Sequence, residues 1–157
     1  MLFRSSTNTA VGASALAANT SGSYSTAFGY QALTSQTDGY LNVAYGYRAL
    51  GTSTSSSANT AIGSDALFAN TTGASNTALG HYVAKANTSG SYNVAVGQQA
   101  LQANTTASYN TAVGNTALYT NTTGAQNTAL GHAALNLNTT GSYNTAIGLG
   151  ALIANTT

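Results

Sequence analysis

The chain has 157 residues, only 3% of them charged, and a formal net charge of +1. Three Lys and Arg residues cannot neutralise a run of phosphates, so a nucleic-acid partner is not expected. Cysteine is absent, which excludes a disulfide framework and thiolate metal sites, and no apolar run approaches the roughly 20 residues of a membrane span, so membrane insertion is not expected either.

Residues 1–7 stand outside any repeat, with Phe3 and Arg4 where Thr or Ser would belong. They lack the long apolar core and cleavage site of a signal peptide. From residue 8 to residue 157 the chain is one repeat domain. An Ala-aliphatic-Gly step places glycine at 12, 29, 46, 63, 80, 97, 114, 131 and 148, always 17 residues apart. Two columns never vary across the nine copies: Ala two before the glycine (Ala10 to Ala146) and Thr eight after it (Thr20 to Thr156).

A period of 17 is too short for a helical hairpin, whose repeats need about 30 to 45 residues. Gly with clustered Asn, Thr and Ser favours turns and strands over helix interiors. The expected fold is therefore all-β: a parallel β-solenoid, or β-roll, of nine 17-residue coils forming a rod about 43 Å long. One inserted residue would turn all following side chains to the wrong face, which accounts for the fixed length.

Each column then has an expected task. The glycine suits a bend through its tolerance of positive φ. Asn59, Asn76, Asn93, Asn110, Asn127 and Asn144 can stack into a ladder of side-chain amides. A second asparagine column (Asn70, Asn87, Asn104 and their equivalents) can do the same, and Thr71, Thr88, Thr105 and Thr122 follow it directly. The aliphatic before the glycine (Val11, Ile62, Leu79, Val96, Val113, Leu130, Ile147) and the Leu four after it are expected to form an apolar spine. Which column faces the interior is left open. Two large aliphatics per coil are few against the entropy of ordering it, so a second apolar face is expected to pack against other subunits.

Coils two and three are the least regular. They carry Phe28, Tyr30, Tyr40, Tyr45, Tyr47 and Arg48, an aromatic group beside a cation that suits a sugar or a protein partner, or that merely fills gaps. In the fifth coil Val83-Ala84 replaces Ala-Leu, shifting apolar volume by one place. Tyr24, Tyr92, Tyr109 and Tyr143 share a turn column that reads as a stacking ladder. His81 and His132 share a column three coils apart, about 14 Å, too far to share a metal. Asp38 and Asp65 lie in different columns, no Ser-His-acid set recurs, and no Lys-Ser/Thr follows the glycines. The reading is a non-enzyme with no catalytic residues, no metal and no cofactor. Seven Asn-Thr-Thr/Ser triplets, beginning at Asn19, Asn70, Asn87, Asn104, Asn121, Asn138 and Asn155, match the glycosylation sequon, but one coincidence repeats with the unit. The chain stops mid-coil at Asn155-Thr156-Thr157, which fits either a piece of a longer fibre or ends that dock head to tail.

The Asn-Thr-Ala-Val/Ile-Gly step, as in Asn59-Thr60-Ala61-Ile62-Gly63 and Asn144-Thr145-Ala146-Ile147-Gly148, resembles the head repeats of trimeric autotransporter adhesins. The longer unit Asn138-Thr139-Thr140-Gly141-Ser142-Tyr143 looks like repeats of phage tail-fibre proteins. The resemblance spans residues 8–157, although its coils are longer than those of the adhesin heads, and it implies a left-handed roll assembled as a trimer. With it, the expected function is a structural fibre or adhesin-type segment on an extracellular surface or virion, a homo-oligomer able to contact cell-surface glycans or a receptor. Two alternatives are an end-to-end filament subunit and an ice-binding protein using its Thr and Asn rows. The threonines sit beside asparagines at turns, which argues against the last.

Overall fold

A computed structural model describes residues 7–156. Of the non-repeat segment expected over residues 1–7, Phe3 and Arg4 included, all but Thr7 lies outside the described residues. The chain forms nine three-residue strands: β1 (Thr9–Val11), β2 (Thr26–Phe28), β3 (Val43–Tyr45), β4 (Thr60–Ile62), β5 (Thr77–Leu79), β6 (Val94–Val96), β7 (Thr111–Val113), β8 (Thr128–Leu130) and β9 (Thr145–Ile147). They pair in parallel, in chain order, as a single sheet. Each residue pairs with its own copy one coil on, Ala10 with Ala27 and Ala129 with Ala146. The molecule is a β-solenoid in which each turn holds one copy of the repeat, with no helix among the described residues.

Each coil contributes one strand. The remaining positions cannot extend it because the backbone repeatedly enters the left-handed region. In the sixth coil Gly97 (φ 125), Gln99 (φ 61), Leu101 (φ 52) and Tyr109 (φ 63) all do so. These turns nevertheless stack as strands do. Between the fifth, sixth and seventh coils the hydrogen bonds run right round the perimeter: Gly97 N–H donates to Leu79 O at 2.8 Å, Gln99 N–H to His81 O at 3.0 Å, Leu101 N–H to Ala117 O at 3.0 Å and Tyr109 N–H to Ser91 O at 3.1 Å. Backbone groups that a turn would leave to solvent therefore find partners one coil away.

The core is narrow and built from small residues. Of the three strand residues, the middle alanine points inward and the outer two point out, as strand alternation requires. Alanine at the third place after the glycine and leucine at the fourth complete the interior, with Leu33, Leu50, Leu67, Leu101, Leu118 and Leu135 fully buried. This corrects the expected spine: the leucine column lies inside, whereas the aliphatic before the glycine faces outward. Ile62, Leu79 and Leu130 are exposed, and Val96 and Val113 are half-buried. In the fifth coil Val83 and Ala84 are both buried, so the shifted volume is repacked inside the same core.

The leucine column is costly in backbone terms. A left-handed residue with a Cβ is disfavoured by roughly 1–2 kcal/mol, yet Leu101 holds φ 52 and every regular coil repeats this. Burial of a leucine side chain, worth about 1.5–3 kcal/mol, offsets that cost. The first glycine column has a second reason to be glycine besides its φ. At Gly46 (φ 140) an added Cβ would lie 2.6 Å from the Gly63 carbonyl oxygen of the next coil.

Leu101→Ala is expected to destabilise the rod by about 2–5 kcal/mol, read as a lower denaturant midpoint followed by circular dichroism. An unchanged midpoint would place the core elsewhere.

Candidate functional surfaces

The two asparagine columns that the repeat holds nearly constant turn inward, whereas the invariant threonines lie at the surface. Asn59, Asn76, Asn93, Asn110 and Asn127 are buried, and Asn144 is half-buried. Asn76 Nδ2 donates to Asn59 Oδ1 at 3.1 Å and to Gly90 O at 2.9 Å, while its backbone N–H donates to Asn59 Oδ1 at 2.9 Å. The second asparagine column runs parallel: Asn87 donates to Asn70 and Asn104 to Asn87, both at 2.7 Å. Gly90 O also accepts from Asn87 Nδ2 at 2.9 Å, so the two ladders are tied through one row of carbonyls. Buried amides are costly when unpaired, and stacking supplies each with its own copy as partner.

Where a ladder residue changes, a nearby residue changes with it: Ser53, in the second column, bonds Ser56, which stands in the second glycine column. Ser25 stands where the first column has Asn, and Gln36 where the second has Asn. The longer Gln36 side chain reaches across, donating to Ser25 Oγ at 3.2 Å and accepting from Asn42 Nδ2 at 2.8 Å. The sequon asparagines Asn70, Asn87, Asn104, Asn121 and Asn138 belong to this enclosed ladder, so their amides are not open to glycan attachment in the folded chain. The hydroxyls of Thr71, Thr88, Thr105 and Thr122 donate to the carbonyl of the next threonine at 2.9–3.1 Å. The invariant threonine row is thus held within the rod's own hydrogen bonding.

The sheet face is different in character. Outward from the nine strands run Val11, Phe28, Tyr45, Ile62, Leu79, Val96, Val113, Leu130 and Ile147, one per coil, forming an apolar strip about 38 Å long at steps of about 4.8 Å. Ile147 is 67% exposed and Val11 48%. Beside this strip runs a row of Thr or Val two residues earlier, and no strand carries a charge.

The aromatic group of coils two and three is partly brought together. Phe28 stacks on Tyr45 with ring centroids 4.6 Å apart and planes 2° from parallel, and Tyr30 stacks on Tyr47 at 5.6 Å. Tyr40 lies on the turn that precedes the Asn42 ladder position, its backbone N–H bonded to Ser57 Oγ. Tyr92 and Tyr109 also stack, at 5.1 Å, within the exposed turn column. Arg48 is committed inward. Its guanidinium holds both oxygens of Asp65 at 2.8 and 2.9 Å and lies over the Tyr47 and Phe68 rings at 4.9 and 4.6 Å. Lys85 approaches the same carboxylate at 3.5 Å and sits 4.3 Å above the Tyr82 ring. Burial alone would push the Asp65 carboxyl up, but the Arg48 hydrogen bonds and the charges of Arg48 and Lys85 hold it below the usual carboxylate range. Arg48 and Asp65 stand one period apart, so their pairing follows from the repeat, a signal the sequence reading passed over.

Sequence reasoning also missed a groove. The column five after the glycine is highly variable, running Phe68, Lys85, Gln102 and Tyr119 over four successive coils. With Ala69, Ala86 and Ala103 these residues line a groove of about 370 Å³. His81 stacks on the neighbouring Tyr82 at 3.7 Å, and both His81 and His132 are exposed. No group of three or more His, Cys, Asp or Glu able to hold a metal occurs among the described residues. No protein-family model, curated protein or solved structure matches the chain.

The Asp65 shift has a sign. A depressed folded-state pKa gives stability that is present above the unfolded value of about 3.9 and lost as pH falls through the folded value. Thermal unfolding midpoints of the wild type are therefore expected to drop as pH is lowered to about 2.5. Asp65→Asn should be less stable at neutral pH and show a shallower acid drop, and parallel pH profiles would contradict the ion-pair account.

Proposed function

We propose that the chain is a segment of a rigid surface fibre, assembled from several copies, as in adhesin heads and phage tail fibres. The observation that carries this reading is the outward apolar strip of the sheet face. A solvent-facing strand column in a lone molecule can take polar residues at no cost, yet all nine positions here are aliphatic or aromatic. Contiguous exposed apolar surface of this kind marks an association site. The strip is charge-free and continuous from coil to coil, so identical rods can pack along their length around a symmetry axis, each burying what it would otherwise expose. Three copies is the assembly in keeping with the resemblance to trimeric adhesin repeats, and an extracellular surface or a virion is the location in keeping with the same resemblance.

The interior supports a mechanical role. Asparagine and threonine side chains, which in a binding protein would face a partner, are used for coil-to-coil bonding. For the same reason the invariant threonine row favours a fibre over an ice-binding surface.

Native mass by light scattering after gel filtration is expected to correspond to three chains. Leu79→Lys, which places a charge mid-strip, should give a folded monomer with an unchanged circular dichroism spectrum. A wild-type monomer would sink the assembly reading, and a very large, polydisperse mass would favour end-to-end filaments.

A further inference from the structure

The groove on the column five after the glycine lies away from the sheet face and belongs to a single chain. Its geometry points to a binding site for a carboxylate-bearing sugar residue, seated on the floor between Phe68 and Tyr119 against the Tyr119 ring and held by the charge on Lys85. This deepens the surface-fibre reading, on which it rests only for the source of the ligand.

The shape is set by the stacking. Ala69, Ala86 and Ala103 form a floor of three methyl groups in register, and Phe68 and Tyr119 stand three coils apart, about 14 Å, as end walls. The Phe68 ring packs over Gly51, where an added Cβ would lie 3.0 Å from it. At about 370 Å³ the groove falls in the range of small-ligand sites, which run from about 300 to 1,000 Å³. A flat apolar floor between aromatic walls suits a saturated ring, whose weakly positive C–H bonds favour the negative aromatic face.

Charge selects among such rings. Arg48 already satisfies both oxygens of Asp65, so the longer 3.5 Å contact from Lys85 adds a second cation to one carboxylate. The cluster keeps a net positive charge. Asp38, the other acid among the described residues, lies in a different column beside Thr37. An ammonium has three donors, and one weak contact to Asp65 leaves Lys85 able to hold a ligand carboxylate at the groove edge. A purely apolar occupant would cover Lys85 and Gln102 without pairing them, at a desolvation cost. A polyphosphate would meet only this one unmatched cation. Gln102 Oε1 has no donor in the folded chain, and the broad rotation of a glutamine amide lets it turn to a ring hydroxyl.

The test is saturation-transfer NMR with methyl glucuronide and methyl glucoside as paired probes, on the wild type and on Leu79→Lys. Transfer to the ring protons of the glucuronide, with a Kd of about 1 mM and little transfer to the glucoside, is the expected result. Lys85→Met, which keeps the stem over Tyr82, should weaken glucuronide binding about tenfold, as expected for loss of one charge-assisted contact. Lys85→Arg should retain binding and Tyr119→Ala should reduce it. Tyr92→Ala, on the turn column, should leave it unchanged. Binding retained in Leu79→Lys would show that the groove needs no second chain, whatever the fate of the assembly. Equal transfer to both probes, no transfer to either, or wild-type binding by folded Lys85→Met would overturn the proposal.

Discussion

Everything in this molecule depends on coils that stack in strict register, so that each group meets its own copy one coil away. A hydrogen bond from Gly97 to Leu79 O, an amide bond from Asn87 to Asn70 and a carbonyl accepting from the threonine below are the same interaction at different points of the perimeter. Self-pairing of this kind asks that a residue be both donor and acceptor along the rod axis. Asparagine meets this with one side chain and threonine with its hydroxyl and carbonyl together. It also explains how a chain with a left-handed leucine in nearly every coil remains ordered. A backbone conformation unfavourable in isolation is held from both sides by identical neighbours.

The architecture was legible because the period is a geometric statement: a short unit of fixed length, repeated without one insertion, permits a stack of coils and little else. The amide ladders followed from the same fact, since asparagine recurring at a fixed place must lie over itself. The inside of the coil was less legible. Alanine, valine and leucine all appear in apolar columns, and a strand of three residues is too short for alternation to show which of them turns in. The left-handed leucines had no signal either, because nothing in the residue type announces positive φ; burial imposes it. By contrast, the Arg48–Asp65 pair was readable from the arithmetic of the repeat. Opposite charges one period apart stand in one column on adjacent coils, and the rule that gave the asparagine ladder gives this pair too.

The columns divide by what surrounds them. Those facing inward are nearly invariant because each must fit the copy above and below. The strip on the sheet face varies within apolar types, from Val11 to Phe28 to Ile62, as a surface would that packs against other rods rather than into one fixed slot. The column five after the glycine varies without restraint, and only there do an aromatic, a cation, an amide and a second aromatic follow one another. Its variation lies outside the stacking requirement, so this wall can acquire a local chemistry without disturbing the rod. The Ser25–Gln36 exchange shows the opposite case: inside, a change in a ladder is met by a second change beside it, as with Ser53 and Ser56.

The direction of the coil-to-coil bonds has a mechanical consequence. They lie along the rod axis, so tension between its ends does not shear a sheet but pulls straight across each boundary between coils. The boundaries bear that load in series, and the rod is only as strong in tension as its least-bonded boundary. Compression, in contrast, presses the coils together, and bending does so on one side of the rod while stretching the other. Between the second, third and fourth coils, where Ser25, Gln36 and Ser53 interrupt the asparagine columns, the tensile load passes also through the stacked Phe28–Tyr45 and Tyr30–Tyr47 rings and the Arg48–Asp65 pair.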